Sequence, residues 1–302
     1  MTTRGLRLTR LLLLLASAVP VIAAAQPRGN GGGDSTTRPE DRIRPQFEPS
    51  YIVTSLSGDY HGQDSSRLLL EANVAPPFYL AHWSHNAIVG TPKIVLRQFT
   101  GDSWPVRPPN FMPRITYYRW WVGQGDVSYV SAMISHYSNG QSGPHRNPDG
   151  TLNHADGNFS TWFVEGAYQH TRSAAGFTGS VRLSIEWQLP FAYDHDELRD
   201  YSKVRPAAEV DLRDRSAGLS ATVRTRLLLG DAGQTFTGFR RFTGEGTLAW
   251  AIPGSEIGLF LDGYFGQDFY NNNYDQYREI LRIGIATNQG SRNRGARAPG
   301  AI

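Results

Sequence analysis

Phe177-Thr178-Gly179-Ser180-Val181-Arg182-Leu183-Ser184-Ile185-Glu186-Trp187 alternates without a break. Phe177, Gly179, Val181, Leu183, Ile185 and Trp187 fall on one side, and Thr178, Ser180, Arg182, Ser184 and Glu186 on the other. Successive side chains of a strand point to opposite faces, so this stretch has one apolar and one polar face. The pattern returns nearby. Ala208, Val210 and Leu212 oppose Glu209, Asp211 and Arg213, while Leu219, Ala221, Val223 and Leu227 oppose Ser220, Thr222, Arg224 and Arg226. A soluble sheet turns its apolar face to a core and its charges to water. A membrane barrel does the reverse, with charges in the lumen and apolar residues in lipid. Alternation alone fits both, so the rest of the chain must decide.

The N-terminus reads as a secretory signal peptide over residues 1–25. Arg4, Arg7 and Arg10 form a basic start, Leu11 to Leu15 begin an apolar run, and Ala23-Ala24-Ala25 supplies small residues for cleavage. Those three arginines account for the formal charge of +3, so the basic balance implies no nucleic-acid partner. The chain has no cysteine, which excludes a disulfide framework in an exported protein. Gly (32 of 302) and aromatic residues (12%) are both plentiful, and Tyr117, Tyr118, Trp120 and Trp121 cluster as aromatic girdles do. Together these tip the reading to an all-β fold, a transmembrane antiparallel β-barrel of about twelve strands.

Residues 26–46 and 288–302 are rich in Gly, Pro, Ser and charge and read as a disordered linker and tail, leaving 47–287 for the barrel. The expected strands are 50–57, 66–75, 78–85, 113–122, 127–138, 158–169, 177–188, 207–215, 218–229, 237–252, 256–266 and 277–286. Lys93–Phe99 is a thirteenth candidate.

The run Val127 to Ser138 ends in His136-Tyr137-Ser138-Asn139-Gly140. Val130, Ala132, Ile134, His136 and Ser138 share a face, which sets a base beside a hydroxyl on the lipid side of the sheet. The next strand begins near Asn158, and its face of Asn158, Ser160, Trp162, Val164, Gly166 and Tyr168 is the more apolar one. A Ser138–His136–Asn158 line is therefore expected, with the amide orienting the imidazole. An asparagine there costs less to desolvate than a carboxylate. A histidine and a serine at a strand end also suit ordinary headgroup-level girdle residues.

At this point the chain resembles the outer membrane phospholipase A family, a twelve-stranded barrel with a Ser-His-Asn site on its outer wall. The likeness rests on four stretches. His136 to Gly140 matches the family's H-x-S-N-G. Ser103-Trp104-Pro105-Val106-Arg107-Pro108-Pro109-Asn110-Phe111-Met112-Pro113 resembles its S-S-P-F-R-x-x-N-Y-x-P block. Phe47-Glu48-Pro49-Ser50-Tyr51 resembles its first strand. Gly263 to Gln267 with Tyr270-Asn271 resembles its last external loop. The resemblance implies Ser138 as nucleophile, His136 as base, the Gly140 amide in the oxyanion hole and Asn158 as third member, with Asn153 as a rival. An alternative register puts Trp162 at the asparagine position.

The resemblance also implies calcium beside the serine. The family's serine ligand, four residues before the asparagine, is His154 here, a poor ligand for a hard cation. Asp149 or Asp156 is the replacement to expect, with the backbone carbonyl of Trp104 as a second donor. Both aspartates precede glycine and equally suit plain turns. His145 with His154 hints only faintly at zinc. The implied activity is hydrolysis of phospholipid acyl esters in the bacterial outer membrane by a chain that is active as a homodimer. The alternatives are a non-catalytic barrel, either channel or scaffold, and a lipid A deacylase-like esterase, whose shorter eight-stranded barrel fits this length less well.

Overall fold

The computed structural model describes residues 43–61, 68–100, 105–189, 202–230, 239–270 and 273–287. The signal-peptide region, the linker up to residue 42 and the tail from 288 lie outside the described residues. Among those described, thirteen strands form one sheet: β1 (Tyr51–His61), β2 (Leu68–Val74), β3 (Phe78–Trp83), β4 (Asn86–Phe99), β5 (Asn110–Val122), β6 (Asp126–Ser138), β7 (Ser160–Ala174), β8 (Phe177–Gln188), β9 (Val204–Asp214), β10 (Leu219–Leu227), β11 (Phe242–Ala251), β12 (Ile257–Gln267) and β13 (Tyr277–Thr287). Neighbouring strands pair antiparallel. β1 pairs with both β13 and β2, and β2 pairs with β4, so the sheet closes on itself.

The wall is twelve strands around. β2 and β3 lie end to end along one edge of β4, β2 against Ile94–Phe99 and β3 against Asn86–Gly90. They are one wall strand broken at Ala75-Pro76-Pro77. The sequence reading reaches twelve by a different route: it counts 66–75 and 78–85 separately and omits most of β4. Proline is the reason. Pro92 interrupts the alternation of β4, yet it lies level with the gap between β2 and β3, where its missing N–H breaks no ladder on that edge.

Burial decides the membrane question. Leu183, Ile185 and Trp187 of β8 are 55%, 54% and 52% exposed, while Glu186 between them is buried. Inside, Glu71, Arg97, Asp262, Asp268, Arg278 and Arg282 are all nearly inaccessible. A charge removed from water needs a charged partner, and these have them. Arg97 contacts Glu71 and Asp268 at 2.6 Å each, Arg282 contacts Glu71 at 2.5 Å, and Arg282 also pairs with Asp262. Apolar outside and ion-paired inside is the membrane-barrel arrangement.

The two ends differ. Residues 84–85, 123–125, 175–176, 215–218 and 252–256 make short turns at one end. The strand ends that lead into the longer connections, after β1, β4, β6, β8, β10 and β12, lie at the other. Ser138, the last residue of β6, is at the long-loop end. Ile43 and Phe47 pack with Ala87, Val89, Tyr118, Trp120 and Tyr129 toward the short-turn end. Packing against the barrel thus includes Ile43, four residues before the boundary that composition suggests. Glu48 continues this strap inward, 2.6 Å from Lys93 and 3.1 Å from Arg114. A lumenal cavity of about 880 Å³ adjoins it.

Candidate active site

On β6 the even residues face outward. Val130 and Ile134 are 40% and 41% exposed, whereas Ser131, Ser135 and Tyr137 are buried toward the lumen. His136 and Ser138 continue the outer row and are half-buried. On one side Ser138 pairs with Phe111 of β5. On the other, His136 pairs with Trp162 and Ser138 with Ser160 of β7. Both Phe111 and Trp162 are exposed aromatic rings. The serine and histidine therefore stand on the apolar outer wall between two aromatic flanks.

Trp162 fills the place across from His136, with ring centroids 4.8 Å apart. The imidazole Nδ1 is buried and has no hydrogen-bond partner among the described residues. Asn158 thus does not accept from it. It lies before β7 begins, exposed, with its N–H bonded to Gly143 O at 2.9 Å and its carbonyl 3.0 Å from His145 Nδ1. Asn153 is likewise occupied within the loop: its amide nitrogen donates to Pro144 O and Asp156 Oδ1, and its Oδ1 accepts from the N–H groups of Ala155 and Asp156. The expected line of three is not assembled here, because the register sets a ring where an amide is needed. No hydrogen bond joins Ser138 Oγ to His136 either. Such bonds often tighten only when substrate is bound.

Gly140 adopts φ +66°, a left-handed conformation that glycine enters without strain. A Cβ there would meet the Phe111 ring at 3.3 Å. Its N–H makes no hydrogen bond among the described residues. A donor left over beside a nucleophile is what an oxyanion hole requires. Asn139 fixes this turn. Its amide nitrogen donates to Gly157 O at 2.8 Å, and its Oδ1 accepts from Phe159 N at 2.9 Å and Gln141 N at 3.2 Å.

The 139–159 loop is a packed unit. His145 Nε2 lies 2.9 Å from the Tyr274 hydroxyl, and His154 contacts Gln276 and Asp275 at 3.1 and 3.2 Å. The two histidines are thus held apart by different partners from the 268–276 segment. Burial, the larger influence, holds the His145 imidazole below its ordinary pKa, against the bond to the Asn158 carbonyl, which raises it.

The metal candidates divide. Asp149 is solvent-exposed and accepts from the Thr151 hydroxyl and N–H at 2.6 and 3.0 Å, bonds that lower its pKa. It caps a turn. Asp156 lies at the loop base against Gly143 and accepts from Asn153 at 2.7 Å. Trp104 lies outside the described residues. Among those described, no three His, Cys, Asp or Glu residues converge. Calcium takes six to eight oxygens, so the described donors by themselves make an incomplete set.

Tyr137, at the variable position of H-x-S-N-G, escapes a motif reading, while Asn110 and Asn139 are letters of the matched motifs to which the sequence assigns no role. Parity alone turns Tyr137 inward, and a buried phenol seeks a polar partner, so a signal was present.

The sequence matches no family model and no curated protein. Its fold has solved counterparts. Outer membrane phospholipase A from Escherichia coli superposes with a TM-score of 0.55 at 12% identity, over 86% of this chain and 94% of that one. An active-site mutant of that protein gives 0.56 at 12% identity over the same shares. The Salmonella typhi phospholipase dimer with bound calcium gives 0.53 at 11% identity, again over 86% and 94%. At such identity the likeness establishes the fold.

Proposed function

We propose that this chain, which has the fold of outer membrane phospholipase A, is an outer-membrane acyl-ester hydrolase acting on phospholipids with Ser138 as nucleophile and His136 as base. The observation that carries this is the outward placement of both residues on a lipid-facing wall, beside the Gly140 turn. A channel has no use for a serine and a histidine there. Apolar clusters also narrow its lumen, around Phe47 near one end and around Tyr137 and Phe159 near the other.

In this reading Ser138 Oγ attacks the acyl carbonyl while His136 takes its proton. The buried Nδ1 leaves Nε2 for that role. The Gly140 N–H receives the developing oxyanion, a contribution of about 2.7–4 kcal/mol for such a donor. His136 then protonates the departing alcohol of the lysolipid, and water, deprotonated by His136, releases the fatty acid from Ser138. Phe111 and Trp162 flank the acyl chain. Asn158 belongs to the loop hinge, and the ring of Trp162 holds the imidazole in place. A homodimer at the outer leaflet is the active form. Calcium, bound by the Salmonella neighbour, is the ion to test.

The test is fatty-acid release from mixed micelles by refolded protein. Ser138→Ala should abolish it, leave the heat-modifiable gel shift of the barrel unaltered, and remove labelling by a sulfonyl fluoride. If calcium serves the site, Asp156→Asn should raise the concentration needed for half-maximal rate and Asp149→Asn should not. Unchanged turnover in Ser138→Ala would falsify the mechanism.

A further inference from the structure

The tip of β6 is weakly held by its β5 neighbour. The β5–β6 register runs Phe111 to Ser138, then resumes only at Arg114 to Ser135. Met112 and Pro113 are skipped, and they lie opposite Tyr137 and His136. Proline has no N–H to give, so the ladder lapses at His136 and Tyr137, directly beside the paired Ser138. On the other side β7 pairs continuously, from Ser135 through Ser138. One edge of the strand tip is paired without a break, and the other has a two-residue gap.

Tyr137 sits between His136 and Ser138 and points the opposite way, into the lumen, where it is 1% exposed. Its hydroxyl accepts from Asn110 Nδ2 at 2.8 Å and donates to the Phe269 carbonyl. Asn110 is the first residue of β5 and fully buried. Phe269 belongs to the segment after β12. The Tyr137 ring stacks edge-on against Phe159 with centroids 4.8 Å apart, and Phe159 in turn packs on Tyr274. One phenol thus ties the strand tip to the start of β5, to the end of the 139–159 loop and to the far wall.

Resting on the proposed hydrolase reading, we infer that Tyr137 is a positioning residue: its inward phenol, clamped by Asn110 and the Phe269 carbonyl, takes over from the lapsed ladder and sets the angle at which Ser138 and His136 face lipid. Side chains at i−1, i and i+1 of a strand share one backbone, so rotation of the tip moves both outer groups together. Small errors in such geometry lower the chemical step more than binding.

The experiment uses the refolded full-length barrel with two variants. Tyr137→Phe keeps the ring on Phe159 and deletes only the hydroxyl. Asn110→Leu keeps the volume and deletes the donor. Loss of one clamping bond should lower kcat about tenfold with KM unchanged, and the double variant should be no slower than the worse single one. Hydrogen exchange of the 136–140 amides should quicken in both variants while the mid-barrel amides stay protected. Wild-type kcat and wild-type exchange in Tyr137→Phe overturn the inference and leave the hydrolase reading intact. A rise in KM at constant kcat overturns it as well. If the wild type itself cleaves no ester, the hydrolase reading falls, and a clamp shown by exchange alone is then structural and the positioning role is rejected.

Discussion

His136 is held by packing and not by a polar bond. Its Nδ1 is buried without a partner among the described residues, and the facing Trp162 offers only an N–H donor. An acceptor there would favour the tautomer that leaves Nε2 free to take the serine proton. Directly opposed residues have Cβ atoms about 4.5–5.5 Å apart, within reach of a short amide. Trp162→Asn should therefore raise kcat roughly fivefold to tenfold, since a single orienting hydrogen bond is worth about 1 kcal/mol. Steady-state kinetics on mixed micelles read this directly. A fall in kcat would mean that the packing lost with the indole ring outweighs the orienting bond gained. The outward placement of Ser138 and His136 was legible from parity. The sequence leaves the neighbour of His136 open between Asn158 and the alternative register with Trp162, because a cross-strand partner depends on where the long loop lets β7 begin.

At the scale of elements, the 139–159 loop carries the oxyanion turn and leans on the 268–276 segment through His145 and Tyr274. In neutral His145, Nδ1–H donates to the Asn158 carbonyl and Nε2 accepts from the Tyr274 hydroxyl. Its folded pKa is depressed by burial, so the unfolded loop binds a proton first as pH falls. The stabilisation is complete above the ordinary histidine pKa of about 6.5 and fades as pH drops through the window below it. Acidification from pH 7.5 to 5.5 should then increase proteolytic cutting within 141–157, and His145→Asn should flatten that dependence. Equal cutting at both pH values in the wild type would sink the linkage. The strands around this loop could be read from alternation. The loop itself could not, since its partners arrive from more than a hundred residues away.

Across the whole molecule, one ion network spans the seam where first and last strands meet. Glu71 of β2 takes contacts from Arg97 of β4 and from Arg278 and Arg282 of β13, and the Tyr51 hydroxyl of β1 donates to it at 2.8 Å. Removing one member of a buried network leaves uncompensated charge, which costs about 3–5 kcal/mol. Glu71→Ala should lower the urea midpoint of the folded barrel accordingly, read by the heat-modifiable gel shift, while a surface change such as Asp149→Ala should not. An unaltered midpoint would mean that water, not ion pairing, satisfies these arginines.

Read alone, the sequence determined what depends on neighbours along the chain. Side chains two apart share a face, so Phe177 to Trp187 declares a two-faced strand, and Val130 to Ser138 places a serine and histidine on its apolar side. Whether that apolar side faced a core or lipid waited for closure of the sheet, which left Leu183 outside and paired Glu186 with Arg205 inside. Tertiary structure also decided that two short strands are one wall strand split by Pro76 and Pro77. It set Trp162, not an asparagine, across from His136, and brought Phe269 to the phenol of Tyr137. Each of these is a register or a contact between distant segments. Such contacts are fixed by how the barrel closes, and no local period in the sequence encodes them.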